Sequence, residues 1–160
     1  MPDTKGGSWF DRTVLFALLA LLTLAADGCG RNTVRSDEIN KEIDVFGVTL
    51  LSREDLNVLK GVKAASEPCL KGCVYIFDSL DVSIGYGHDG VVRMITSHNP
   101  KNSIFGISPG NEFAAAREKI LLAGFAQGLT PYKFTKEIYL LTFLVNESGM
   151  VFGISLEIID

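Results

Sequence analysis

Residues 137–158 read EIYLLTFLVNESGMVFGISLEI, and their pattern decides the architecture. Two runs rich in branched and aromatic residues flank Asn146-Glu147-Ser148-Gly149, a polar stretch closed by glycine. That is the pattern of two strands joined by a turn, here over 137–145 and 150–158. Side chains alternate along a strand. Tyr139, Leu141, Phe143 and Val145 therefore share one face, and Ile138, Leu140 and Leu144 share the other. Both faces are apolar. A central strand covered on both sides has this pattern. So does a sheet with one face on helices and the other reserved for a partner.

Working outward, the same pattern recurs 59 residues earlier. Val45-Phe46-Gly47-Val48-Thr49 falls on Ile104-Phe105-Gly106-Ile107-Ser108. Val82-Ser83-Ile84 falls on Leu141-Thr142-Phe143, Gly90-Val91-Val92 on Gly149-Met150-Val151, and Ile95-Thr96 on Ile154-Ser155. One offset serves both ends without a gap, which is the signature of an internal duplication. The expected organisation is a globular domain over 42–160, made of repeats at about 45–101 and 104–160. Each repeat would hold an extended Phe-Gly-aliphatic segment, a helix, then strands.

In the first copy Ser52 suits a helix N-cap, with Glu54 and Asp55 in the first turn and Gly61 as a stop. Strands would follow at 73–77, 81–86 and 91–97, with His88-Asp89-Gly90 as a hairpin turn. In the second copy Pro109-Gly110-Asn111 opens an Ala-rich helix over 112–123. The fold class expected is α+β: a tandem repeat of helix followed by antiparallel strands, with the helices packed on one face of an antiparallel sheet.

The N-terminus reads differently. Residues 1–12 are polar and carry Lys5 and Arg12; 13–26 then run TVLFALLALLTLAA without a charge. A charged start, a short apolar run and small residues beyond it make a secretory signal, expected over 1–28. Fourteen residues of helix span about 21 Å, short of a hydrocarbon core of about 30 Å. Ala26-Asp27-Gly28-Cys29 resembles the lipobox of bacterial lipoproteins, with Asp27 departing from its pattern. That resemblance implies lipidation at Cys29 and a membrane anchor, at the outer membrane if the host has two, because Gly30 is not the retaining aspartate. Ordinary signal cleavage before Cys29 is the alternative. Residues 29–41 are polar and would form a tether.

Three cysteines is an odd count. A lipid on Cys29 would leave Cys69 and Cys73 for a small disulfide loop. A zinc site needs four ligands, and His88 and His98 have no ligand spacing. A redox pair would normally be one residue closer. No metal and no cofactor is expected.

The charge balance narrows the partners. The chain has 15 basic and 19 acidic residues; without Lys5, Arg12, Asp3, Asp11 and Asp27 the remainder carries −3. With no basic cluster, nucleic acid is not an expected partner. Gly106-Ile107-Ser108-Pro109-Gly110 fits the nucleophile elbow of hydrolases, but no histidine follows His98 to complete a triad. Thr49 occupies the corresponding place in the first copy, so the segment reads as a structural turn. Asp78 and Asp81 flank a turn, where aspartates bond backbone.

The Phe-Gly-Ile-Ser-Pro-Gly-Asn-Glu start at 105–112 and the strand–turn–strand at 138–158 together resemble the beta-lactamase-inhibitor-protein-like fold. Small outer-membrane assembly lipoproteins of the SmpA/OmlA type share that fold. The resemblance spans about 45–160, and the first copy lacks its second glycine at Leu50-Leu51. It implies protein binding through a sheet face or loops and carries over no catalytic residue.

The functional expectation is an exported, lipid-anchored, non-enzymatic protein-binding module of the bacterial cell envelope. It would act as an assembly factor or inhibitor on an envelope or secreted protein. A small secreted enzyme and a purely structural envelope lipoprotein are the alternatives. Tyr86, Tyr139, Phe143 and Phe152 are the candidate partner contacts, against core packing for each.

Overall fold

Strand β9 (Tyr139–Val145) turns into β10 (Val151–Ile158) where the alternation and the NESG turn place them. The turn is held by one side chain: Asn146 Oδ1 accepts from the backbone N–H of Ser148 (3.1 Å) and Met150 (2.9 Å) and from the Ser148 hydroxyl (2.8 Å). Gly149 takes the left-handed conformation the turn needs, at φ 79°. The computed structural model describes the backbone of residues 31–53, 59, 62, 64–69 and 72–159. Two compact units divide the chain, residues 1–37 and 38–160.

Eight strands form one antiparallel sheet. They are β2 (Ala65–Cys69), β3 (Gly72–Phe77), β4 (Val82–Gly87), β5 (Val92–Ser97), β7 (Ala126–Gln127), β8 (Lys133–Lys136), β9 and β10. Their order is β2-β3-β4-β5-β10-β9-β8-β7, so the two hairpin systems meet at β5 and β10. The edges are blunt: Pro68 sits in β2, and β7 is two residues long. A separate two-stranded sheet pairs β1 (Ile43–Asp44) with β6 (Ser103–Ile104).

One sheet face builds the core. Along the register, Phe77 and Val82, Ile84 and Ile95, Ile95 and Leu156, and Leu156 and Leu141 are cross-strand pairs, all buried. Helix α2 (Phe113–Leu122) packs on that side through Ala116 and Ile120. Phe113 reaches the Phe143 ring at 5.8 Å, and Phe134 meets the same ring at 5.7 Å, both edge-to-face.

This architecture corrects the expected fold class. The described residues are mostly antiparallel strand, with two α-helices: α1 (Arg31–Lys41) and α2. They are not a repeated helix-plus-sheet unit. The helix expected after Ser52 falls on residues 54–58 and 60, outside the described residues. Polar residues 31–41, expected as a tether, are helical instead. Asn40 explains the anchoring of its end: its side-chain amide donates to the Leu50 carbonyl (3.1 Å) and accepts from the Leu50 N–H (2.9 Å).

What does recur at 59 residues is loop and turn geometry. Phe46 and Gly47 sit at φ 52° and 74°, Phe105 and Gly106 at 54° and 61°. Leu51 N–H donates to Val92 O and Val92 N–H to Ser52 O; Gly110 N–H donates to Val151 O and Val151 N–H to Asn111 O. Leu51, where the first copy lacks its glycine, still adopts φ 64° beside Gly110 at 101°. Such a conformation costs a non-glycine residue about 1–2 kcal/mol. Thr96 and Ser155 lie directly opposite on β5 and β10, with their hydroxyls 2.8 Å apart. Asp44 and Ser103 face each other on β1 and β6.

The expected Cys69–Cys73 bridge is not formed: Cys73 is a free thiol. Register gives the reason. Cys73 lies opposite Pro68 and Cys69 opposite Gly72, one step out of phase. Adjacent positions of a strand belong to opposite faces, so the backbone does not bring the pair together. Alkylation of the denatured chain without reductant is expected to modify Cys73. Modification only after reduction would contradict the register.

Candidate interaction face

The second face of the sheet is only partly shielded. Its central row crosses four strands as Ser83, Thr96, Ser155 and Thr142, each directly opposite the next. This hydroxyl row lies across the seam between β5 and β10. Beside it run Val74, Gly85, Met94, Glu157 and Leu140, again in register. Val74, Ile76, Met94, Leu140 and Leu144 are all half-buried, whereas Ile84, Ile95, Leu141, Phe143 and Leu156 on the core face are almost fully enclosed. Among the described residues, the 139–145 strand has one face on α2 and the aromatic core and the other partly covered.

Phe152 completes this face through a break in the ladder. The β9–β10 register shifts between Val151 and Gly153. The Phe152 ring stacks on His98 with centroids 5.9 Å apart and 22° between planes, and it is 48% exposed. His98 Nδ1 donates to the Phe152 carbonyl at 3.1 Å, since a carbonyl oxygen only accepts. Gly153 leaves the room for this stack. A Cβ there would lie 2.6 Å from His98 Nδ1 and 2.9 Å from Leu144 Cδ1.

The other three expected contacts are core. Tyr86 is 7% exposed, and Tyr139 and Phe143 are 2% exposed each. Tyr139 and Phe143 share the Leu141 face, which α2 and Phe134 cover; Tyr86 packs edge-to-face on Tyr75 at 5.6 Å. Residue type alone favoured aromatics at an interface, but strand phase assigns them to the interior. Met94, Leu140 and Leu144 replace them. The alternation of 139–145 already separates Leu140 and Leu144 from the aromatics; what it lacks is which side the helix covers.

Burial raises the Tyr139 phenol above its ordinary range, and the charge of Glu137 adds to the shift. The neutral phenol is the form the fold prefers. Its contribution to stability is intact below pH about 10, where both states are protonated. It is lost as pH climbs further, because the unfolded chain ionises first. In an alkaline absorbance titration, Tyr139→Phe is expected to remove a phenol that ionises above the ordinary tyrosine range. An unchanged titration above the ordinary tyrosine range in the variant would contradict this burial.

Chemistry is sparse elsewhere. Two open clefts of about 360 and 330 Å³ flank Lys119. The Lys119 ammonium donates to Gly106 O (2.8 Å), and Lys136 donates to Ala123 O (2.8 Å) while lying 5.8 Å from the Phe125 ring centre. Glu38 and Glu42 line one of these clefts together with Lys119 and Lys136. Neither lining places a nucleophile beside a base. Ser108 sits in a turn in which Asn111 Oδ1 accepts from its N–H at 2.9 Å. Asp81 closes the 3₁₀ turn 78–80 at φ 52°, its N–H donating to Asp78 O. His88 is exposed in the β4–β5 turn. There the Arg93 guanidinium holds the Asp89 carboxyl below the usual range through a 2.9 Å hydrogen bond. No cluster of three His, Cys, Asp or Glu suited to a metal exists among the described residues. No helix among them is long and apolar enough to cross a membrane. Cys29 and the 13–26 run lie outside the described residues.

Compared with known proteins, the chain matches no family model, no curated protein and no solved structure.

Proposed function

We propose that the protein is an exported binding module, anchored through a lipid on Cys29, that holds a protein of the cell envelope against the open face of its sheet. The supporting observation is the contrast between the two faces. One is sealed by α2 and the aromatic core; the other leaves Met94, Leu140, Leu144 and Phe152 partly in water across its middle strands. An apolar surface rimmed by polar groups is what a partner covers. Thr96, Ser155 and Thr142 supply hydrogen-bonding groups between the apolar contacts.

Site-specific photo-cross-linking in the native host tests the reading. A cross-linker at Leu144 is expected to trap one discrete envelope protein, and Phe152→Asp is expected to abolish the adduct. The same group at exposed Glu118 on α2 should trap none of it. Equal adducts from both positions, or none from Leu144, would overturn the proposal.

A further inference from the structure

One charge stands in the middle of the open face. Glu157 of β10 lies directly opposite Met94 of β5 on one side and Leu140 of β9 on the other. It is half-buried, while Leu156 and Ile158 on either side of it in the strand turn into the core. Next to it along β9 on the same side, Ile138 is 42% exposed. Among the described residues the Glu157 carboxylate makes no hydrogen bond and no ion pair.

No base in the sheet is placed to neutralise it. Its row crosses all eight strands as Ala126, Thr135, Leu140, Glu157, Met94, Gly85, Val74 and Glu67, and it contains no lysine or arginine. Strands β3, β4 and β9 carry no charge at all. Arg93, next to Met94, donates to Asp89 at 2.9 Å. Lys136 belongs to the α2 side, where it donates to Ala123 O. Lys133 stands in the neighbouring row opposite Thr142, two strands from β10. His98 lies two rows away, stacked on Phe152.

While the face is open, water solvates this carboxylate. A partner that covers Met94 and Leu140 strips that water from Glu157 too, and a carboxylate buried without a cation opposes binding. A neutral or acidic covering segment is thereby rejected and a basic one selected.

We propose that the protein segment covering the open face presents an arginine or lysine to Glu157, flanked by apolar side chains that meet Met94, Leu140 and Ile138. The apolar contacts hold the partner, and the carboxylate sets which partner is held. This inference rests on the open-face reading of function.

Cross-linking from Leu144 in the native host tests it. Glu157→Gln removes the charge at almost constant size and is expected to lower the yield of the adduct roughly tenfold or more; Glu157→Lys should abolish it. Glu118→Gln removes the same charge from α2 and should leave the yield unchanged. The trapped segment of the partner should contain an arginine or lysine whose reversal to glutamate restores capture by the Glu157→Lys variant. An adduct that survives both Glu157 variants, or a trapped segment without a base, would overturn the inference and leave the open-face reading standing. The absence of any adduct from Leu144 in the otherwise unaltered chain would overturn both.

Discussion

Phe143→Ala is expected to destabilise the protein by about 3–5 kcal/mol, the range for truncating a buried phenylalanine. Its ring is 2% exposed and is held edge-to-face by Phe113 from α2 and Phe134 from β8. Alanine would leave a cavity where helix, β8 and β9 converge, and the two remaining rings would lose their shared partner. Phe152→Ala is the matching control. Its ring is half in water and, among the described residues, stacks on His98. Its loss should change stability by under about 1 kcal/mol while removing partner capture. Chemical denaturation of both variants checks the contrast. A small effect at 143 together with a large one at 152 would reverse the assignment of the two faces.

Gly72→Ala ranks second, at about 2–4 kcal/mol, because its obstruction is backbone. Gly72 sits at φ 152° where β3 begins, opposite Gly87 of β4. A Cβ there would meet the Tyr86 carbonyl oxygen far inside contact distance and press on the Gly87 carbonyl carbon at 2.9 Å. Neither can move without breaking the β3–β4 ladder. Gly153→Ala makes the comparison: its close neighbours are the His98 ring and the end of Leu144, which have rotamers to yield. Thermal melts should show the Gly72 variant well below the Gly153 variant. An unperturbed Gly72→Ala protein would mean that β3 and β4 do not pair as described.

Legibility followed pattern length. The strands β9 and β10 stand out because seven or eight residues alternate around an Asn-to-Gly turn. Helix α2 was legible to within a residue at each end from its alanines and Gly124. The strands β2, β7 and β8 carry no such signal. The first contains a proline, the second has two residues, and the third, Lys-Phe-Thr-Lys, offers one apolar side chain. They are strands because an edge was there to pair with, which is a tertiary cause. Helix α1 looked like a tether because it is apolar-poor; what fixes its end is Ile39 in the core and the Asn40–Leu50 pair ten residues apart. Two phenylalanine-glycine loops 59 residues apart suggested a unit that included a helix. The shared geometry resides in loops and hairpins instead.

The candidate site was legible in part. The alternation of 139–145 separated Leu140 and Leu144 from Tyr139 and Phe143, yet the larger aromatics drew the assignment. What determines the sealed face is α2, packed from thirty residues upstream with Phe113 on the Phe143 ring, and Phe134 of β8 beside it. Phe152 reaches the open face through a register shift that no simple period describes.

Side-chain footprinting with a photogenerated carbene, run on the purified protein and on intact cells, tests most directly whether a partner covers the open face. In the purified protein Met94, Leu140, Leu144 and Phe152 should be labelled and Leu141, Phe143 and Leu156 spared. In cells the first group should become protected while exposed Glu118 stays labelled. Unchanged labelling of Met94, Leu140, Leu144 and Phe152 in cells would contradict the account.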